Sequence, residues 1–157
     1  MIRGIHHTAI SSNDLDRIVA FYRDVVGFEV VMQTQWADNP QIDGIIGVPG
    51  SAARQVMLRA GNAYLEFFQY SAPEPRRAPP LEPFDRGYTH ICLDVTDIAS
   101  EYARLSAAGV VFAQPTYGDF GEIKAVYGRD PDGNVIEIQE TSSDHPTALR
   151  RAAVPDR

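Results

Sequence analysis

The sequence predicts an α+β protein: two modules of the order β-α-β-loop-β-β that share one partly closed mixed sheet, with the helices outside. Three observations predict it. The apolar pattern passes between period two and period 3.6 in the same order twice along the chain. A proline-rich stretch, 71–87, divides the two copies. The strands of each copy read as apolar on both faces, so neither copy can bury its own sheet without the other.

In the first module, Gly4–Ile10 is short and rich in β-formers and stops at Ser11-Ser12-Asn13-Asp14, a run of helix N-caps. Leu15, Ile18, Val19, Phe21, Tyr22, Val25 and Val26 then recur at helical spacing over Leu15–Val26, and Gly27 stands where a left-handed C-cap belongs. Phe28–Met32 is a strand candidate. Gln33–Ala53 is polar and glycine-bearing and reads as a long loop. Arg54–Arg59 and Ala63–Tyr70 form a hairpin through Ala60-Gly61-Asn62.

Ser71–Gly87 carries Pro73, Pro75, Pro79, Pro80 and Pro83, five of the chain's 11 prolines, and is neither helix nor central strand. The second module follows. Tyr88–Val95 is a strand, Asp97 caps a helix over Ile98–Ala107 with Ile98, Tyr102 and Leu105 on one stripe, and Gly109 ends it. Val110–Ala113 is a strand, and Glu122–Tyr127 and Asn134–Glu140 form a hairpin across Arg129-Asp130-Pro131-Asp132-Gly133. Aligning His7 on His90 places Asp14 on Asp97 and brings Gly27 within one residue of Gly109. The expected organisation is a single domain over 1–142 (module one 4–70, linker 71–87, module two 88–142) and a flexible tail over 143–157.

With 157 residues, 44% hydrophobic and 22% charged, the chain has ordinary globular composition. At this length folding buries roughly 70% of the unfolded surface. A net charge of −7, with Lys124 the only lysine, argues against nucleic acid and anionic membranes as partners. The only adjacent basic pairs are Arg76–Arg77 and Arg150–Arg151. One cysteine, Cys92, excludes an intrachain disulfide and a cysteine-only metal cluster; it reads as a small core residue. The start MIRGIHHTAI is too polar for a signal h-region and no 18-residue apolar run exists, so the expected location is the cytoplasm.

Four potential metal ligands occupy matching places in the two modules. His7 lies in the first strand of one and Glu66 in its last; His90 and Glu137 repeat the arrangement. Leu65 and Phe67 flank Glu66, and Ile136 and Ile138 flank Glu137, so strand alternation sends both carboxylates to the face opposite the helices. A glutamate inside an apolar strand is costly unless paired or bound to a cation. Taken singly, a strand histidine is ordinarily a hydrogen bonder and a buried glutamate ordinarily salt-bridged. The fourfold coincidence across a repeat points instead to one common centre, and two imidazoles with two carboxylates suit Zn, Ni, Co, Mn or Fe(II). Alternation turns His6 away from His7, leaving it a structural role, and His145 lies in the tail.

The pieces IHHTAI, NDLDRIVAFYRDVVGF, AYLEFFQY, YTHICLDVTDI and GRDPDGNVIEIQE, which cover most of 4–140, resemble the vicinal oxygen chelate superfamily. That group includes glyoxalase I, methylmalonyl-CoA epimerase, extradiol dioxygenases, and fosfomycin and bleomycin resistance proteins. The resemblance implies paired βαβββ modules forming a cupped sheet around a divalent metal ion, often in a homodimer. It places the metal on His7, Glu66, His90 and Glu137. A complete ligand set resembles glyoxalase I and the epimerases, and implies an isomerase, epimerase or lyase acting on a small substrate with vicinal oxygens. Glu137 and Glu66 are then the candidate bases; Tyr64, Trp36 and Asp43 are candidate substrate contacts. The alternatives are an extradiol-type Fe(II) dioxygenase using His7, His90 and Glu137, and a non-catalytic drug-binding resistance protein.

Overall fold

The first module is built on strand β1 (His7–Ser11), and its helix begins where the caps stand: Asp14 accepts a hydrogen bond from the backbone N–H of Arg17 at 3.1 Å and opens α1, Leu15–Ala20. The computed structural model describes residues 1–76 and 79–149; Arg77, Arg150, Arg151 and the rest of the predicted tail lie outside the described residues. Helix α1 continues into a π-helical segment, Phe21–Val26, and Gly27, at φ 95°, closes it by donating to the carbonyl of Tyr22. Strand β2 (Glu29–Trp36) follows, then helix α2 (Pro40–Ile46), then β3 (Ala52–Ala60) and β4 (Ala63–Ala72). The four strands order as β1-β4-β3-β2, with β1 parallel to β4 and the other pairs antiparallel.

The second module repeats this plan. Strand β5 (His90–Asp94) precedes α3 (Ile98–Ala107), whose N-terminus Asp97 caps by accepting from Ser100 N–H at 3.1 Å. Gly109 ends it at φ 95°, the value at Gly27. Short strands β6 (Val111–Phe112) and β7 (Gly118–Asp119) precede β8 (Ile123–Arg129) and β9 (Val135–Thr141). The order is β5-β9-β8-β6, with β7 also on β8 and β5 parallel to β9. Chain contacts divide the molecule into two compact units, Met1–Ala78 and Pro79–Arg157. The α+β class and the doubled module are as predicted.

Each module buries its helix against one sheet face. Leu15, Ile18, Tyr22, Leu58 and Phe67 are buried in the first, with Tyr22 and Phe67 in ring contact; Ile98, Leu105, Ile136 and Ile138 are buried in the second. Each fully buried aliphatic side chain contributes about 1.5–3 kcal/mol relative to exposure.

Several boundaries differ from expectation. The loop expected over Gln33–Ala53 is largely ordered: β2 runs on to Trp36, and α2 starts at an Asn39 side chain that accepts from Gln41 and Ile42 N–H, with Pro40 at the first helical position. Strand β4 continues through Ser71 and Ala72 into the predicted linker, paired to β3. Ser142 to Ala148 form turns, with His145 N–H donating to Ser142 O and Ala148 N–H to His145 O. Among the described residues no helix is long and apolar enough to cross a membrane.

Candidate metal centre

Sheet register sets the candidate ligands. In the parallel ladder of the first module His7 lies beside Tyr64, and Glu66 is two residues further along β4, on the same face. In the second module His90 lies beside Val135, and Glu137 is again two residues further along. The two pairs close to nearly the same distance. Nε2 of His7 is 3.2 Å from Oε2 of Glu66, and Nε2 of His90 is 3.3 Å from Oε2 of Glu137.

Both carboxylates are nearly buried, with side chains 11% and 13% exposed, while the imidazoles are 39% and 29% exposed. Apolar neighbours on the strand fix this: Leu65, Phe67, Ile136 and Ile138 fill the helix-covered face and turn the glutamates the other way. A buried carboxylate needs partners to offset its lost hydration. Glu66 has two, the His7 ring and the amide of Gln55, which donates to Oε1. Glu137 has His90 and a hydrogen bond from the Cys92 thiol.

The aromatic surroundings differ between the modules. Tyr127 sits opposite Glu137 on β8 and lays its ring 4.9 Å from that of His90. Its phenol is pushed up by partial burial and then by the Glu137 charge. Tyr70 is raised in the same way, by burial and then by Glu66. Tyr64 stacks on His6 at 5.0 Å.

His6 contradicts its predicted placement. Strand β1 begins only at His7, so alternation does not govern the residue before it, and Nδ1 of His6 comes within 2.9 Å of Nδ1 of His7. Cys92 also departs from the core reading: it is exposed, on the face of β5 that carries His90. Desolvation by its neighbours, and then the Glu137 charge, push its thiol up to about 12.

The two loop candidates belong to one chain of hydrogen bonds. Trp36 Nε1–H donates to Ser51 Oγ at 2.8 Å, and Ser51 Oγ–H donates to Asp43 Oδ1 at 2.6 Å. Asp43 also accepts from the backbone N–H of Gly50 and of Ser51, so its carboxylate is occupied in closing the loop after α2. The Ser51 hydroxyl, ahead of those backbone donors, holds Asp43 below the usual carboxylate range. Trp36 stands edge-on to Phe68 and Tyr70, at 5.9 and 6.1 Å, and lines a cavity of about 710 Å³ with Tyr70, Ala53, Arg54 and Gln69. Neither His7 nor Glu66 lines it.

Each module therefore supplies one imidazole nitrogen and one carboxylate oxygen facing one another. That donor set fits a borderline or hard divalent cation and excludes a purely soft site. Among the described residues no group of three or more histidine, cysteine, aspartate or glutamate side chains is gathered to hold an ion; the donors come as two pairs. Gln55, Thr89, Ser51 and Tyr127 are neighbours of the candidate residues that the sequence did not single out. Gln55 and Tyr127 had a usable signal, since both alternate onto the glutamate face of strands next to Glu66 and Glu137.

A profile of the glyoxalase/bleomycin resistance protein/dioxygenase superfamily matches residues 4–138. The chain is 34% identical over 143 residues to a 2-epi-5-epi-valiolone epimerase from Actinomyces sp, covering 86% of this chain and 78% of that one. It is 30% identical over 156 residues to a lactoylglutathione lyase from Schizosaccharomyces pombe, covering 92% of this chain but only 49% of that one, so it spans about half of that relative. A glyoxalase family protein from Bacillus cereus superposes with a TM-score of 0.79 over 90% of this chain and 96% of that chain, at 17% identity, a likeness of fold.

Proposed function

The chain belongs to the glyoxalase/bleomycin resistance protein/dioxygenase superfamily, and on that premise we propose that it is a divalent-metal-dependent isomerase, epimerase or lyase. Its reaction removes a proton from the carbon next to a carbonyl or hydroxyl of a small substrate with vicinal oxygens. One observation carries this reading: a nearly buried glutamate faces a histidine at 3.2 Å in one module and 3.3 Å in the other, at the same register position. The likeness to an epimerase over most of both chains supports the reaction class.

His7, Glu66, His90 and Glu137 would hold the ion. When bound, a divalent ion supplies Lewis-acid polarisation of the substrate's oxygens, which makes the neighbouring C–H more acidic. The chain's own residues then have to move the proton. Glu137 and Glu66 are the candidates, and their surroundings separate their roles. The Gln55 amide holds Glu66 through Oε1, whereas the corresponding place beside Glu137 on β8 is Ala125, which has no donor to offer. Glu137, whose second partner is the weakly donating Cys92 thiol, is the more loosely held carboxylate and takes the proton; Glu66 stays anchored by its amide partner. Trp36 and Tyr70 offer an apolar wall on module one, with Asp43 and Ser51 fixing the indole rather than touching substrate.

The test is solvent isotope exchange. The zinc-, nickel- and manganese-loaded protein is incubated in D2O with 2-epi-5-epi-valiolone and a panel of small α-hydroxy ketones, and proton NMR follows loss of the signal next to the carbonyl. Metal-dependent exchange, abolished by chelator, is expected with at least one compound. Absence of exchange throughout, together with oxygen uptake when the Fe(II)-loaded protein meets a catechol, would replace this reading with the dioxygenase one.

A further inference from the structure

Trp36, Ala53 and Tyr70 stand at one level on three adjacent strands of the first module, Trp36 paired with Ala53 and Ala53 with Tyr70. Directly paired residues share a sheet face. Tyr70 lies four residues along β4 from Glu66, so that face is the glutamate's. The middle residue is only a methyl group. Over it the two rings meet edge to face, with centroids 6.1 Å apart and planes at 88°, and Ala53 is left 4% exposed. The rings make an apolar corner in the wall of the cavity of about 710 Å³ at this end of the sheet. Small-molecule sites have volumes of roughly 300–1,000 Å³.

The polar groups of the lining decide what kind of molecule fits. Arg54 is its one charged residue, and the guanidinium is committed: Nη2 and Nη1 donate to the two oxygens of Asp16 at 2.6 and 3.2 Å. The indole N–H of Trp36 is engaged by Ser51, which leaves a ligand only the hydrocarbon surface of that ring. What stays uncommitted is neutral. The Gln35 amide, the Asn39 amide nitrogen and the Tyr70 hydroxyl make no hydrogen bond among the described residues. Asn39 uses only its oxygen, to cap α2. These groups offer donors and acceptors to a neutral partner, and none of them compensates an ionic charge. The charge that Tyr70 does feel, that of Glu66, is negative.

We propose that this cavity binds an uncharged ring, its apolar face against Trp36 and Tyr70 and the hydrogen-bonding groups of its edge toward Gln35 and Asn39. That the ring is the non-reacting part of the substrate rests on the metal-dependent reading; the binding itself needs no metal. An aromatic amide and a cyclic polyol share this chemistry. Both pair an apolar ring face with polar groups at the rim, and a flat ring in a right-angled corner meets one aromatic face and one aromatic edge.

Trp36 is the chain's only tryptophan, so its indole N–H gives a single proton–nitrogen NMR cross-peak that reports the corner directly. The metal-free, isotope-labelled full chain is titrated with benzamide, myo-inositol and benzoate. At least one of the two neutral probes is expected to move that peak saturably, with a Kd of about 10 mM or below, the scale for a fragment of this size. Which of the two binds tells the aromatic amide from the polyol. Benzoate, with the shape of benzamide and a charge, is expected to bind at least about tenfold more weakly than the better neutral probe. This comparison needs no variant to fold. Tyr70→Leu, which removes one wall, is expected to weaken the neutral probe about three- to tenfold. No saturable shift from either neutral probe, benzoate binding as tightly as the better of them, or wild-type affinity in Tyr70→Leu overturns the inference and leaves the metal reading intact. A chain that binds a neutral probe yet takes up no divalent ion supports this site and overturns the metal reading alone.

Discussion

Oε2 of Glu66 and Nε2 of His7 lie 3.2 Å apart across a parallel ladder, two residues out of register, with the carboxylate nearly buried and the imidazole partly open. Strands β9 and β5 repeat the offset for Glu137 and His90, so each copy of the module carries one imidazole–carboxylate pair. A pair of this kind competes with a cation for the same lone pairs. Metal binding should therefore stabilise the fold by mass action, by about 2.7 kcal/mol at a free ion concentration a hundred times the Kd. Thermal melts with and without added Zn(II) check this, and Glu66→Ala should lose the increment.

The base assignment predicts an asymmetry between the glutamates. Glu137→Gln should slow solvent exchange of substrate by about 10²- to 10⁴-fold, the usual contribution of a general base. Gln55→Ala, which frees Glu66 from its amide partner, should change exchange far less. Deuterium wash-in rates for the two variants at saturating metal decide the point. Equal losses would mean that anchoring, not proton transfer, limits the reaction.

Asp43 gives a pH-dependent test of the loop chain. Its carboxyl is held below its ordinary value, first by the Ser51 hydroxyl. A lowered folded-state pKa means stabilisation that is fully present above the ordinary carboxylate value and lost as pH falls through the folded one. Asp43→Asn should therefore lower Tm at pH 7, and the gap from wild type should narrow below about pH 4. Trp36 emission should shift in the same variant at pH 7, since the indole loses the anchor that Asp43 holds through Ser51.

The core carries its own expectation. Phe67 is fully buried between α1 and the sheet, with Tyr22 at 5.0 Å. Phe67→Ala should cost about 3–5 kcal/mol in denaturant unfolding. Asp14→Ala, which removes only the cap of α1, should cost about 1 kcal/mol.

The candidate ligands are legible because two independent constraints coincide on them. Period-two alternation put Glu66 and Glu137 on one face, and the repeat matched each with a first-strand histidine. The caps Asp14 and Asp97 and the stops Gly27 and Gly109 were equally plain, since local backbone chemistry fixes them. What escaped depends on neighbours distant in sequence or on weak patterning. Helix α2 buries none of its residues, so no apolar period announced it, although Asn39-Pro40 is a helix start. The π-helical segment hides inside an unbroken apolar run. The place of His6 is not legible from alternation, because β1 begins only at His7. The part Asp43 plays in closing the loop is not legible, because its partner Ser51 lies eight residues away, beyond any local signal.

The central claim is that one divalent ion is held jointly by His7, Glu66, His90 and Glu137, and metal content per chain tests it most directly. Elemental analysis after loading with Zn(II) and removal of excess should give one ion per chain in the wild type. The ion should be lost alike in His7→Ala and His90→Ala. No ion in the wild type, two ions per chain, or an ion that either single variant retains at full occupancy would contradict a single shared centre.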